Sequence, residues 1–138
     1  MTNEKLINRV VKHEGLMLKP YKCPAGKLTI GVGRNLEDVG ITKEEAMFLL
    51  ENDLDRCHQE CLRSFFWYKD LDVDRQGVIQ EMYFNLGLAR LKTFKKMLLA
   101  CEIGNYELAA REMLSSLWAR QVGKRAETLA NIMKGKTS

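Results

Sequence analysis

Apolar residues follow a helical period over most of this chain, with one exception near its start. The first helical stripe lies within residues 3–12 and consists of Leu6, Ile7, Val10 and Val11. Asn3 or Thr2 can cap this helix, since both side chains accept hydrogen bonds from the free amides of a first turn. Over residues 15–33 the period falls to about two, and residues 23–26 have turn chemistry, which predicts a small β-hairpin.

Most of the remaining chain is predicted to be helical. Thr42 and Glu45 stand three residues apart, the spacing of a capping box in which each side chain bonds the other residue's backbone amide. The helix that starts there is expected to run to about residue 63. Later helices are predicted over about 72–86, 92–101, 105–114 and 120–133, with glycines 104 and 123 at breaks between or within them. Five or six helices and one small sheet define an α+β, mostly helical fold.

The chain has the length of one domain. Its 138 residues can bury one sizeable core but not two. Apolar residues make up 46% and charged residues 29%, which is ordinary globular usage and excludes a disordered or fibrous chain. The polar start predicts no cleavable secretory signal, and no apolar run is long enough to span a bilayer. The net charge of +4 suits an anionic polymer, either cell wall or nucleic acid.

Four cysteines raise the question of disulfides or a metal site: Cys23, Cys57, Cys61 and Cys101. Without an export signal, reduced thiols are expected rather than disulfides. On a helix, His58 would lie about a third of a turn from the face that Cys57 and Cys61 share, and no second pair stands at zinc-binding spacing. We therefore expect thiols without a metal or any other cofactor, with Cys23 more accessible than the three cysteines on helical patterns.

Glu14 is the strongest candidate for acid–base chemistry, because it lies where the first helix meets the hairpin. The apolar residues that flank it are Val10, Val11, Leu16 and Leu18. Such neighbours can desolvate a carboxylate, which then holds its proton more tightly, as a general acid requires. The alternative is a surface glutamate beside a helix end. Nearby, Gly31 and Gly33 let backbone lie against an extended ligand, or only kink the strand.

Three polar residues and two glycines stand in one spaced pattern. Eight residues separate Glu14 from Cys23, five separate Cys23 from Thr29, and the sequence Ile-Gly-Val-Gly follows Thr29 directly. Further matching segments are Gly40–Ala46, Phe84-Asn85-x-Gly87 and Arg125-Ala126. The pattern resembles the catalytic segment of the phage-type lysozymes, glycoside hydrolase family 24, and the likeness covers nearly the whole chain.

The resemblance implies one lysozyme-like catalytic domain over residues 1–138. An active-site cleft would separate a small sheet-bearing lobe from a larger helical lobe. The small lobe and its connecting helix would take about residues 14–60. The helical lobe would take about residues 61–138 together with the N-terminal helix.

The activity that the resemblance implies is hydrolysis of peptidoglycan at the β-1,4 bond between N-acetylmuramic acid and N-acetylglucosamine. Glu14 takes the general-acid position, Cys23 that of the second catalytic group, and Thr29 that of the residue that helps to place the attacking water. The family's substrate contacts fall on Asn35, Phe84, Met97, Glu112 and Arg125. Of these, Asn35, Met97 and Glu112 differ from the family's side chains.

The family position that Cys23 takes is Asp or Cys, and Cys23 departs from the aspartate seen elsewhere in the family. An aspartate is ionised at neutral pH, whereas an ordinary thiol is mostly neutral. Cys23 therefore supplies nucleophilicity, but it supplies a negative charge only if its surroundings lower its pKa. Inversion and retention at the anomeric carbon both stay open.

Peptidoglycan is the expected partner of this chain, which we expect to be monomeric, to bind no nucleic acid and not to insert stably into membranes. A phage endolysin of this kind would accumulate in the host cytoplasm and reach the wall by a holin-dependent route. A lytic transglycosylase and a peptidoglycan-binding protein with weakened catalysis are alternatives. A small basic protein that binds nucleic acid through its C-terminal helices is a third class.

Overall fold

The computed structural model describes residues 3–135 and divides the chain into two compact units. The first unit ends at Leu49, and the second begins at Leu50. The described residues form an α+β, mostly helical fold with one small antiparallel sheet, which confirms the predicted fold class. The lobe boundaries that the family resemblance implies remain predictions.

Helix α1 spans Glu4–Glu14 and belongs to the first unit. It begins at one of the two predicted caps, since Oδ1 of Asn3 accepts a hydrogen bond from the backbone amide of Leu6 at 3.0 Å. It ends at Gly15, whose φ of 78° is a conformation that glycine adopts without strain. The alternative cap, Thr2, lies outside the described residues.

The sheet has three antiparallel strands in chain order: β1 at Met17–Lys22, β2 at Leu28–Gly31 and β3 at Arg34–Asn35. Strands β1 and β2 are the predicted hairpin. Strand β3 is an addition to it, because a strand of two residues shows no detectable alternation in the sequence. Thr29 on the central strand pairs with Tyr21 on one side and with Asn35 on the other.

Helix α2 spans Lys43–Ser64, and the predicted capping box forms at its start. The amide of Thr42 donates to Oε1 of Glu45 at 2.8 Å, and the amide of Glu45 donates to Oγ1 of Thr42 at 3.1 Å. The guanidinium of Arg34 donates to both carboxylate oxygens of Glu45, at 2.8 and 2.6 Å, and to the carbonyl of Gly40 at 3.0 Å. This ion pair ties strand β3 to the start of α2.

Six helices follow in the second unit, within the described part of the chain: α3 at Val73–Leu86, α4 at Leu88–Lys92, α5 at Lys95–Glu102, α6 at Tyr106–Leu114, α7 at Leu117–Val122 and α8 at Lys124–Lys134. A single 3-10 turn at Tyr68–Asp70 precedes them. The helices predicted over 72–86 and 105–114 are confirmed as α3 and α6.

The other two predicted helices differ from the structure in their bounds or continuity. The helix predicted over 120–133 is α7 and α8, because Gly123 adopts φ of 60° and interrupts the helix. Helix α7 also begins earlier than predicted, where Oγ of Ser116 accepts from the amide of Ala119 at 3.1 Å. The helix predicted over 92–101 is α5, which begins later, at Lys95. Helix α4 precedes it as an addition, because five residues are too few to show a hydrophobic period.

The hydrophobic core lies in the second unit. Its largest fully buried side chains are Tyr68, Ile79, Met82, Leu91, Met97, Met113 and Met133. Small buried residues let α6 and α8 approach closely: Ala109, Ala110, Ala126 and Ala130. In the first unit, by contrast, Thr29 alone is buried among the described residues. Hydrogen bonds and turns, rather than a core, therefore define the geometry around the hairpin.

Candidate active site

Glu14 and Gly33 come together in the first unit, 19 positions apart in the sequence. A methyl group on Gly33 would lie 2.7 Å from Oε2 and 3.1 Å from Cδ of Glu14, closer than non-bonded atoms approach. The carboxylate of Glu14 therefore lies directly against the backbone that follows strand β2. Gly33 also has φ of 70°, so the position favours glycine for two independent reasons.

Glu14 is an exposed residue, and the desolvation predicted from its apolar neighbours is wrong. All four flanking apolar residues are themselves exposed: Val10, Val11, Leu16 and Leu18. Leu18, for example, has 81% of its surface accessible to solvent. These side chains face solvent instead of packing over the carboxylate, because α1 buries none of its residues. In the free protein, Glu14 keeps its contact with water.

Cys23 lies at the turn of the hairpin, where backbone amides surround its thiol. Its own amide donates to the carbonyl of Lys27 at 2.9 Å, and the amide of Gly26 donates to its carbonyl at 2.7 Å. A hydrogen bond from the amide of Lys27 lowers the pKa of the Cys23 thiol most. The amide of Ala25 and the hydroxyl of Thr29 lower this pKa further, and partial burial opposes them. The turn therefore stabilises a thiolate at this position.

The pKa values of the other three thiols are shifted in the opposite direction. Burial raises the pKa of Cys57, and it raises the pKa values of Cys61 and Cys101 to about 12. These three cysteines are buried and Cys23 is partly exposed, which confirms the predicted difference in accessibility. His58 does not face the thiols: its Nδ1 lies 2.7 Å from the hydroxyl of Tyr68. Only the Cys23 thiol combines access to solvent with a lowered pKa.

Thr29 links the turn to the centre of the sheet. Its hydroxyl donates to the carbonyl of Lys27 at 2.8 Å, and the residue is only 3% exposed. The backbone amide of Cys23 donates to this same carbonyl. Cys23 and Thr29, two of the three residues of the predicted catalytic set, therefore bond to one carbonyl at the turn.

Asn35, a predicted substrate contact, uses its amide within its own loop. The Nδ2 group donates to Oδ2 of Asp38 at 3.0 Å, and Oδ1 accepts from the backbone amide of Asp38 at 3.0 Å. Asn35 pairs with Thr29 across strands β2 and β3. The structure therefore brings Asn35 beside the predicted catalytic set, with its side chain already bonded to the protein.

Phe84 and Arg125 lie in the second unit, on α3 and α8. Phe84 is 47% exposed on α3, a helix that buries Val78, Ile79 and Met82. Nε of Arg125 donates to Oε2 of Glu81 at 2.8 Å. Glu81 is a residue that sequence reasoning missed, because 44 positions separate it from its partner.

A surface cavity of about 560 Å³ in the second unit contains two further predicted contact positions. Its lining includes Arg90, Phe94, Lys95, Met97, Glu112 and Trp118. Trp118 forms its buried wall: the ring meets Phe94 edge to face at 6.0 Å, and Nε1 donates to Oδ1 of Asn85 at 2.8 Å. Met97 and Glu112, which stand at family contact positions, thus share one opening with an aromatic wall and basic side chains.

Comparison with known proteins identifies the class to which this fold belongs. The family model of phage lysozyme matches residues 11–134. The chain belongs to the phage lysozyme family, which confirms the resemblance seen in the sequence. Family membership supports a peptidoglycan-lytic function.

Individual relatives cover most of the chain at moderate identity. An endolysin of Acyrthosiphon pisum secondary endosymbiont phage 1 is 31% identical over 127 residues, which is 89% of this chain and 84% of the relative. A probable T4-type lysozyme of Dictyostelium discoideum is 29% identical over 150 residues, 88% of each chain. A SAR-endolysin of Haemophilus phage HP1 is 31% identical over 93 residues, 65% of this chain and 50% of the relative. Within residues 3–135, no helix has the length and apolar character needed to cross a membrane.

Proposed function

We propose that this chain is a phage endolysin that hydrolyses the β-1,4 bond between N-acetylmuramic acid and N-acetylglucosamine in peptidoglycan. The observation that supports this most is the chemistry collected in the first unit. The carboxylate of Glu14 lies against Gly33, and Cys23, whose thiol has a lowered pKa, bonds to the same Lys27 carbonyl as the buried hydroxyl of Thr29. A glycosidase needs two such groups, one to protonate the leaving oxygen and one to act at the anomeric carbon.

Glu14 is the general acid of this proposal. It transfers its proton to the glycosidic oxygen as the bond from that oxygen to the anomeric carbon breaks, and it is left as a carboxylate. Because Glu14 is exposed in the free protein, the bound glycan has to displace water from it. The contact with Gly33 limits where the carboxylate can lie when the glycan binds.

Cys23 is the second group, acting as a thiolate. In one route it takes a proton from a water molecule that attacks the anomeric carbon, and the product is inverted. In the other route its sulfur bonds to the anomeric carbon, and water then releases the sugar while Glu14 takes the proton of that water, with net retention. Thr29 supports either route by holding the thiol and by offering its oxygen to the attacking water.

Three further side chains are the proposed substrate contacts. Asn35 next to the sheet, Phe84 on α3 and Arg125 on α8 contact the glycan strand. Phe84 offers an exposed aromatic face to a sugar ring, and Arg125 offers N–H donors to its oxygens. The enzyme works as a monomer without a cofactor and takes peptidoglycan, not nucleic acid, as its partner. It accumulates in the host cytoplasm and reaches the wall through a holin-dependent route, without stable membrane insertion.

End-group analysis of digested peptidoglycan tests this function. Purified protein is incubated with peptidoglycan sacculi, and the released fragments are identified by mass spectrometry. Hydrolysis at the proposed bond predicts new reducing N-acetylmuramic acid ends. Anhydro ends would identify a lytic transglycosylase, reducing N-acetylglucosamine ends would identify the wrong bond, and binding without fragments would identify a binding protein.

A further inference from the structure

An ion pair joins two helices of the second unit close to Phe84. Nε of Arg125 on α8 donates to Oε2 of Glu81 on α3 at 2.8 Å. Glu81 stands one helical turn before Phe84, so the two side chains share a face of α3. Within residues 50–135, this is the one ion pair that links two helices, since the others join residues at most three positions apart.

The pair occupies only one edge of the guanidinium. An arginine has five N–H donors in one plane. In the part of the chain that the structure describes, only the Nε–H of Arg125 has a protein acceptor. The side chain of Arg125 is 38% exposed, so its terminal nitrogens are accessible to an acceptor on a ligand. Because Glu81 fixes the plane of the guanidinium, less side-chain freedom remains to be lost when that acceptor binds.

The ion pair between Glu81 and Arg125 contributes little to the stability of the fold. Both side chains are partly exposed, Glu81 at 45%, and water screens such pairs until their contribution to folding is small. A pair of this strength still favours one orientation of Arg125 over others. The geometry therefore matters more for binding than for folding.

We propose that Glu81 is a positioning residue, which holds Arg125 so that its terminal nitrogens meet an oxygen acceptor on the peptidoglycan strand. This inference rests on the proposed function, in which Arg125 contacts substrate. Glu81 itself acts only through Arg125. Its loss should therefore weaken substrate binding and leave the chemistry at the first unit unchanged.

A double-mutant cycle on solubilised peptidoglycan tests the inference. Glu81→Ala and Arg125→Ala should each raise KM about tenfold at nearly constant kcat, the scale of one lost charge-assisted hydrogen bond. The double variant should be no worse than Arg125→Ala alone, because Glu81 acts through Arg125. Glu81→Gln keeps an oxygen acceptor for Nε and should retain most of the affinity. The control is Asp53→Ala, which removes the 2.7 Å pair with Arg56 on α2 and should leave KM unchanged.

Each other outcome overturns the inference. Losses that add in the double variant would show that Glu81 acts independently of Arg125, and an unchanged KM in Glu81→Ala would show that it does not act at all. A circular-dichroism melt checks that the variants fold. NMR supplies a second readout: the Nε–H signal of Arg125 should sharpen with Glu81 present and move when soluble muropeptides are added, and a signal that does not move contradicts the proposal. A wild-type protein that releases no fragments would instead show that the proposed function itself is wrong.

Discussion

At the scale of single residues, the absence of a side chain at Gly33 is what gives Glu14 its place. The carboxylate occupies the space where a Cβ atom would lie, and no other glycine among the described residues has a carboxylate this close. A motif glycine in a turn is usually explained by backbone conformation alone. Here the conformation and the contact act together, so the two effects have to be separated by experiment.

Gly33→Ala should lower the lysis rate far more than Gly40→Ala does, while the two variants lose a similar unfolding free energy. The strained positive φ costs about 1–2 kcal/mol of unfolding free energy, while the methyl group, 2.7 Å from Oε2, displaces the carboxylate of Glu14. Gly40→Ala is the matched control, since Gly40 has φ of 65° and nothing within 4 Å of an added Cβ. Lysis rates and urea unfolding of both variants decide the matter. Equal activity in the two variants would contradict the contact.

The thiol of Cys23 should be the most reactive of the four and should be needed for lysis. Its pKa is lowered by the amide of Lys27, whereas burial raises the pKa values of the other thiols. Iodoacetamide should label Cys23 first, as read by peptide mapping, with lysis falling in step. Cys23→Ala should lose most activity and Cys23→Asp should keep it. An alanine variant that lyses cells at the wild-type rate would make Cys23 a turn residue only.

If the Cys23 thiolate is needed for catalysis, activity should fall as the pH is lowered. A thiolate is present above the pKa of the group and is lost as the pH falls through it. Wild-type activity should therefore decline towards acid, and the profile of Cys23→Asp should extend further, since an aspartate stays ionised down to about pH 4. Profiles of kcat/KM for the two proteins provide the measurement. If kcat/KM of the two proteins declines over the same acid range, the group that titrates is not Cys23.

At the scale of elements, the start of helix α2 is held by Glu45. Hydrogen bonds from the guanidinium of Arg34 lower the pKa of Glu45 to about 2, from an ordinary 4.5, and the amide of Thr42 adds to this. Because the folded-state pKa is depressed, its contribution to stability is complete above pH 4.5 and is lost as the pH falls towards 2. Urea unfolding should show Glu45→Gln less stable than wild type at neutral pH, with a difference that shrinks across that window. A difference that does not change with pH would contradict the ion pair.

Helices α2 and α3 are joined through the hydroxyl of Tyr68. This buried group lies 2.7 Å from Nδ1 of His58 and accepts from Nε2 of Gln80 at 2.7 Å. Tyr68→Phe should cost about 1–3 kcal/mol of unfolding free energy, because His58 and Gln80 each lose their hydrogen bond to this hydroxyl. Tyr83→Phe, whose hydroxyl has no hydrogen bond within residues 3–135, should change it little. Equal effects of the two changes would show that the network contributes nothing.

At the scale of the whole molecule, short-range sequence patterns predicted the elements whose signals lie within a few neighbouring residues. Thr42 and Glu45 are three residues apart, so the start of α2 could be predicted from the sequence. Strand β3 and helix α4 could not, since two and five residues are too few to show a period. The spacing of Glu14, Cys23 and Thr29 in the sequence predicted the candidate site. The contact of Glu14 with Gly33 and that of Glu81 with Arg125 arise only from tertiary packing.

The central claim, that Glu14 is the general acid of a peptidoglycan hydrolase, is tested most directly by lysis with Glu14→Gln beside the wild type. The amide keeps the shape of the side chain but cannot give up a proton, so the rate should fall by about 10² or more while the thermal melt is unchanged. Glu4→Gln, at the opposite end of helix α1, is the matched control and should lyse cells at the wild-type rate. A folded Glu14→Gln protein that lyses chloroform-treated Gram-negative cells as fast as the wild type would contradict the account.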